Sequence, residues 1–272
     1  MGRLTAQEPV RLVQITDSHL RATAEGTLLK MNTRESLGHV LRTIEENESR
    51  IDLIVATGDI SQDASRQAYE EFLKSIATFN VPYRWIVGNH DNAELMAQAA
   101  KDTDACGKTV SVNNWLVLML NSSVNNQVHG RLNHEELAFL EKNLEQAELG
   151  DDIAHCLVCI HHNPVPGSSG WMEGLGLENS KEFFNILSRF SVVRSVVYGH
   201  IHQELDFMHN GIRCFCTPST CIQFKPSIEN FALDRMNPGY RTFQLYSDGH
   251  IESEVIRVTD IEFEVDYSGA GY

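Results

Sequence analysis

The sequence predicts an α/β fold with two sheets, on three observations. Short apolar runs alternate with helix-spaced segments from Val10 to Tyr198. Beyond residue 205 the texture changes to strands and turns. Neither an internal repeat nor a low-complexity linker divides the 272 residues, so the chain reads as one domain over 1–272. The strand-rich part from about 205 to 272 is expected to complete the second sheet and the rim of a site.

The elements follow in order. Val10–Ile15 is a short apolar run bounded by polar residues, as a buried strand would be. Asn32, with Glu35 three positions on, has the pattern of a capping box and opens a helix over 33–46. Residues 53–57 form a second buried strand, and 65–79 carry helical spacing through Tyr69, Phe72, Leu73 and Ile76. A strand at 83–87, a short helix at 93–100 and an apolar run at 115–120 come next. Asn133, with Glu136 at the same offset, caps a helix reaching about residue 146. Strand 155–160, helix 180–190 and strand 192–198 continue the alternation. Asn210-Gly211 punctuates one hairpin and Ser247-Asp248-Gly249 another.

Charge and cysteine usage narrow the function. Lys and Arg number 22 against 37 Asp and Glu, a net charge of −15. Nucleic-acid polymers and anionic membrane surfaces call for a basic face, so neither is an expected partner. The first ten residues hold no apolar run that could act as a signal, and no stretch approaches the ~20 apolar residues of a membrane span. A cytoplasmic location is expected. Cys106, Cys156, Cys159, Cys214, Cys216 and Cys221 then read as reduced, partly buried thiols. Cys156 and Cys159 form a C-x-x-C, but on a strand their side chains face opposite ways, which does not suit a zinc knuckle.

The chemistry sits where the strands stop. Five segments put metal-type ligands directly after apolar runs: Ile15-Thr16-Asp17-Ser18-His19, Thr57-Gly58-Asp59, Val87-Gly88-Asn89-His90-Asp91, Ile160-His161-His162-Asn163-Pro164 and Tyr198-Gly199-His200-Ile201-His202. Loops at the carboxyl ends of strands converge on a common crevice. A lone D-x-H or G-D is usually a turn, but five such segments in order are a different matter. Asp17 and His19 can chelate one ion, His200 and His202 can divide between two, and Asp59 can bridge both. Asn89 adds a neutral oxygen. Mixed oxygen and imidazole ligation suits Mn, Fe or Zn rather than calcium. Gly58, Gly88 and Gly199 fit tight turns where a Cβ would crowd the site.

This set resembles the calcineurin-like metallophosphoesterases. Ala56-Thr57-Gly58-Asp59, Gly199 to Asp206 and Thr217 to Pro226 are similar to the bacterial class III cyclic nucleotide phosphodiesterases, and the likeness extends to the closing Gly271-Tyr272. The resemblance implies a four-layer αββα sandwich of two mixed sheets flanked by helices. It implies two divalent cations, one held by Asp17, His19, Asp59 and His202, the other by Asp59, Asn89, His161 and His200. It makes His90 the catalytic residue, reaching the phosphate and the leaving oxygen, with Asp91 as an orienting partner for its imidazole. His19, Asp59, Asn89, His161 and His202 would face the substrate alongside His90. His162 reads as a supporting or packing residue beside His161.

The activity so implied is hydrolysis of 3′,5′-cyclic AMP to 5′-AMP by a hydroxide bridging the metals, a water whose pKa the pair lowers toward ~7. Two divalent ions against Asp17 and Asp59 leave the site locally positive inside an acidic protein, which favours a small phosphodiester over a long polyanion. The alternatives are a broader phosphodiesterase, acting on 2′,3′-cyclic nucleotides or glycerophosphodiesters, and a non-catalytic nucleotide-binding member. Two features stay open at this point. The Gly-rich stretch 166–176, with Trp171 and Met172, reads as a lip over the nucleotide or as an ordinary surface loop. Thr220, Cys221, Gln223 and Phe224 could line a base pocket, with Phe224 stacked on adenine, or Phe224 could be a core aromatic.

Overall fold

The computed structural model describes residues 8–269 and Gly271. Residues 1–7, part of the stretch read for a signal, and Tyr272 lie outside the described residues.

Two mixed sheets form the centre of the molecule. The first runs in the order Ile251–Arg257, Gly239–Leu245, Val10–Ile15, Leu53–Ala56, Tyr83–Trp85; the second runs Leu205–His209, Ile212–Cys216, Val193–Tyr198, His155–Cys159, Trp115–Met119, Thr109–Val112. Val10–Ile15, Leu53–Ala56 and Tyr83–Trp85 are parallel, with Ile15 opposite Ala56 and Ala56 opposite Trp85. In the second sheet Cys159 pairs with Val197 and Tyr198 with Cys216, again in parallel. Parallel pairing aligns carboxyl ends, so the loops carrying the candidate ligands leave each sheet at one edge.

Side-chain packing defines the layers. Val10, Leu12, Leu53, Val55 and Phe243 of the first sheet meet Trp115, Val117, Met119, Leu157 and Phe215 of the second in one buried cluster. The outer face of the first sheet packs on helices Thr33–Asn47, Arg66–Ala77 and Ala93–Ala99, through residues such as Leu37, Val40, Tyr69, Phe72 and Met96. The outer face of the second packs on His134–Leu149 and Ser180–Leu187, through Leu140, Leu144, Phe183 and Leu187. The result is the expected αββα sandwich. Cys156 lies in this outer cluster and Cys159 in the inter-sheet one, so the C-x-x-C does straddle its strand.

The two Asn caps form as the spacing predicts. Asn32 Oδ1 accepts from Glu35 N at 3.0 Å and Asn133 Oδ1 from Glu136 N at 2.8 Å, each satisfying an orphan helix donor. Asn210 (φ 50°) and Gly211 (φ 81°) adopt the left-handed turn that an Asn-Gly hairpin requires.

One expectation is corrected. The C-terminal part does not all complete the second sheet. Leu205–His209 and Ile212–Cys216 do join it, but Gly239–Leu245 and Ile251–Arg257 return to the first sheet, pairing antiparallel beside Val10–Ile15. A buried network fixes that return. Gln14 Nε2 donates to Thr57 Oγ1 (2.8 Å) and to the Tyr198 carbonyl (3.1 Å), Thr217 Oγ1 donates to Gln14 Oε1 (2.6 Å), and Arg241 donates to the Cys216 carbonyl (2.9 Å).

Candidate dimetal centre

The loops extend the strand ladder before turning away from it. Asp17 N donates to the Gly58 carbonyl (3.0 Å) and His19 N to the Asp59 carbonyl (2.9 Å). Asp17, His19, Asp59, His200 and His202 all have positive φ, from 45° to 68°. Asp and His tolerate this left-handed region better than most residues, and each such position costs about 1–3 kcal/mol unless its surroundings enforce it. Enforcement is visible. Thr16 Oγ1 donates to Asp17 Oδ2 (2.7 Å), His200 N lies 3.1 Å from the same oxygen, and Ser219 Oγ donates to the Asp17 carbonyl (2.8 Å). A Cβ on Gly88 would meet the Asp59 carboxylate, one on Gly199 would meet Asp17, and one on Gly58 (φ 98°) would sit 2.5 Å from His161 Nδ1.

The ligand atoms gather accordingly. Donors of Asp17, His19 and His202 lie within 4.8 Å of one another, as do those of Asp17, Asp59 and His161, and those of His19, Asp59 and His90. His202 Nε2 is 3.4 Å from Asp17 Oδ1 and 3.2 Å from His19 Nε2. Asp59 sits between the two halves, its Oδ2 3.8 Å from His19 Nε2 and 3.3 Å from His161 Nε2. Asp59 Oδ1 is held by His90 N at 2.8 Å, whereas buried Oδ2 accepts no hydrogen bond among the described residues. Asn89 Oδ1 is 3.1 Å from His161 Nε2.

Hydrogen bonds on the far side of each ring decide which nitrogen faces inward. A carbonyl oxygen only accepts, so the ring nitrogen against it carries the proton. His161 Nδ1 donates to the Thr57 carbonyl (2.7 Å), His202 Nδ1 to the Ile222 carbonyl (2.8 Å), and His200 Nε2 to the Leu175 carbonyl (3.0 Å). His19 Nδ1 rests on Gln62 Oε1 at 2.5 Å. His200 Nδ1 is buried with no partner among the described residues. This is how metal-ligating histidines are oriented. The orphaned Asp59 oxygen, the orphaned His200 nitrogen and the mixed N/O donors fit a pair of divalent cations.

Electrostatics agree. Burial holds His19 and His200 down to about 3, so both are neutral donors at neutral pH. Burial would raise Asp17, but His202 outweighs it and keeps the carboxyl below its ordinary range. Asp59 is likewise driven well down, against burial, by His161.

His162 differs from its neighbour. Its Nδ1 lies 2.8 Å from Ser122 Oγ and its Nε2 3.1 Å from the Val128 carbonyl, so both nitrogens are engaged away from the centre despite proximity to His161 and His200. His90 is half-buried at the mouth, its ring 5.0 Å from that of His19.

Asp91 clamps the site: its carboxylate accepts from the backbone N–H groups of Gly88 (2.9 Å), Ser61 (2.9 Å) and Ile60 (3.1 Å), tying two ligand loops together. Phe224 is buried and lies flat against His202, rings 4.1 Å apart at 9°, with Trp171 at 5.2 Å and Phe231 at 5.7 Å. That packing is the core-aromatic reading of Phe224, with its ring backing a histidine. The 166–176 stretch is packed, not loose: Trp171 also meets Phe231, Met172 is buried, and Leu175 holds His200. Sequence reasoning missed Gln62 and the orienting carbonyls of Thr57, Leu175 and Ile222; a carbonyl belongs to every residue and leaves no trace in residue type.

The fold and this site, with its clustered donors able to hold metal, define a phosphoesterase, and residues 10–204 match the calcineurin-like phosphoesterase family, to which the chain belongs. It is 43% identical over 263 residues to the 3′,5′-cyclic adenosine monophosphate phosphodiesterase CpdA of Pseudomonas aeruginosa, covering 97% of this chain and 95% of that one. It is 41% identical over 271 residues to the CpdA of Escherichia coli K12, covering 99% and 97%. Among solved structures it is similar to a dimetal phosphatase from Danio rerio, with TM-score 0.65 at 15% identity over 93% of this chain and all of that one, a likeness of fold. Among the described residues no helix is long and apolar enough to cross a membrane.

Proposed function

We propose that this protein hydrolyses 3′,5′-cyclic AMP to 5′-AMP with two divalent cations. The observation that carries the reading is its full-length likeness to the two cyclic AMP phosphodiesterases, at 41–43% identity. The complete set of inward-facing donors supports it. Asp17, His19, Asp59 and His202 would hold one ion, and Asp59, Asn89, His161 and His200 the other; Fe or Mn suits these donors, and Zn is compatible. Bound there, the ions supply Lewis acidity at the phosphate and lower the pKa of a water toward ~7.

The chain's own residues do the rest. The carbonyls behind the four imidazoles fix the inward nitrogens. His90, at the mouth beside His19, reaches the phosphate and gives a proton to the departing ribose O3′. Water loses a proton to solvent and its oxygen bonds to phosphorus as the P–O3′ bond breaks, leaving the 5′-ester intact. Among the described residues all six thiols are unpaired, which supports a cytoplasmic location. A panel assay on the metal-reconstituted enzyme tests the reading, with cyclic AMP, 2′,3′-cyclic AMP and a glycerophosphodiester as substrates. Fastest turnover of cyclic AMP, with 5′-AMP as product, is expected; preference for another diester, or release of 3′-AMP, overturns it.

A further inference from the structure

A cavity of about 280 Å³ opens beside His202, and its walls include Gln203, Gln223, Phe224 and Asp234. It lies at the ligand edge of the sheets, because Gln203 directly follows His202. Gln203 is 6% exposed and Gln223 3%. Yet neither Nε2 nor Oε1 of Gln203 has a hydrogen-bond partner among the described residues, and Oε1 of Gln223 has none either. Buried amides without partners are rare in folded proteins because desolvation goes uncompensated, so three such atoms on two residues that line one cavity point to a polar ligand.

The two amides are not equivalent. Gln223 Nε2 donates to the carbonyls of Ser219 (2.8 Å) and Cys221 (2.9 Å). Carbonyls accept only, so this amide cannot flip and its Oε1 is a fixed acceptor. Gln203 has no such anchor and offers a donor and an acceptor side by side. An adenine edge has the complementary pair, an exocyclic amine next to a ring nitrogen, which is the match that lets Gln pair with adenine.

We propose that this cavity is the nucleobase subsite, in which the Gln203 amide pairs with the 6-amine and adjacent ring nitrogen of adenine and the Gln223 carbonyl takes the amine's second hydrogen. The assignment rests on the cyclic nucleotide reading. A 6-carbonyl purine would set an acceptor against the fixed acceptor of Gln223, so the subsite selects a 6-amine. Neither glutamine is asked to touch a metal or the phosphate.

The test uses the metal-loaded enzyme and Gln203→Met, which keeps side-chain length and removes both hydrogen-bonding atoms. Substrates are cyclic AMP, cyclic IMP and base-free bis(p-nitrophenyl) phosphate. Wild type is expected to favour cyclic AMP over cyclic IMP. In Gln203→Met, KM for cyclic AMP should rise on the order of 10- to 100-fold, with metal content and base-free turnover unchanged. The melting temperature should not fall, because the variant removes an unpaired buried amide. Equal losses on cyclic AMP and the base-free diester, or a lower melting temperature with metal loss, would instead make Gln203 a support for His202 and overturn the subsite. So would an unchanged KM. Wild-type calorimetry with 5′-AMP and ribose 5-phosphate judges the subsite without any variant: equal affinity overturns it, and tighter 5′-AMP supports it. Wild type that cleaves the base-free diester but not cyclic AMP sinks the hydrolase reading, while the calorimetry still decides on the cavity.

Discussion

His161 Nε2 lies 3.3 Å from Asp59 Oδ2, both side chains fully buried. Burial alone would keep the imidazole neutral, but Asp59 outweighs it and raises His161 from 6.5 to about 9. A raised folded-state value means this pair's contribution to the metal-free fold is complete below 6.5 and fades as pH climbs through about 9. The cation and the proton compete for one nitrogen. Apparent metal affinity of the stripped protein should therefore rise by about tenfold per pH unit from neutrality to near pH 9 and then level. Calorimetry in buffers of different ionisation enthalpy should register proton release. A flat affinity profile over that window would remove His161 from the ligand set.

Adjacent histidines should separate cleanly. Replacing His161 by Ala should strip metal and activity together. His162→Gln should retain metal and keep activity within about tenfold, the ordinary reach of a supporting contact. Metal analysis of the two purified variants checks this; metal loss confined to the His162 variant would reverse the assignment.

His90→Ala should lower kcat by ~10²–10⁴-fold, the usual contribution of a positioned acid or base. Both cations should stay bound, because the backbone N–H that holds Asp59 survives the substitution. A variant that loses metal contradicts a leaving-group role.

Asp91→Ala leaves the amides of Ile60, Ser61 and Gly88 without their acceptor. Urea titration should show a stability loss of about 2–4 kcal/mol, as unpaired buried donors remain. Wild-type stability with an altered pH–rate profile would assign Asp91 to orienting His90 instead of clamping the loops.

Gly58→Ala places a side chain at φ 98° and a Cβ against His161. The backbone penalty alone is about 1–3 kcal/mol. Metal affinity should fall further than the melting temperature predicts, since the displaced ring is a ligand. Titration with manganese would expose an unchanged affinity, and that result would show the loop can shift at little cost.

The five ligand segments were legible because Asp, Asn and His after an apolar run are unusual chemistry in a usual place. Asn32 and Asn133 were legible from side-chain offsets alone. What the sequence could not convey was geometry between distant segments. Strand pattern predicts Gly239–Leu245 and Ile251–Arg257 as strands but not the sheet they join, because either edge accepts the same alternation. Adjacent histidines at 161 and 162 look alike until Thr57 and Ser122 are seen behind them. Asp91 gives no sign in the sequence of the amides it holds thirty residues back. Gln203 gave no signal at all, since a polar residue after a metal-binding motif is expected on a turn.

The left-handed twist at Asp17, His19, Asp59, His200 and His202 is set by the polypeptide itself. Thr16 and Ser219 brace Asp17 from behind without offering a donor to the cluster, so substituting either should slacken the grip on a cation while every ligand stays in the sequence.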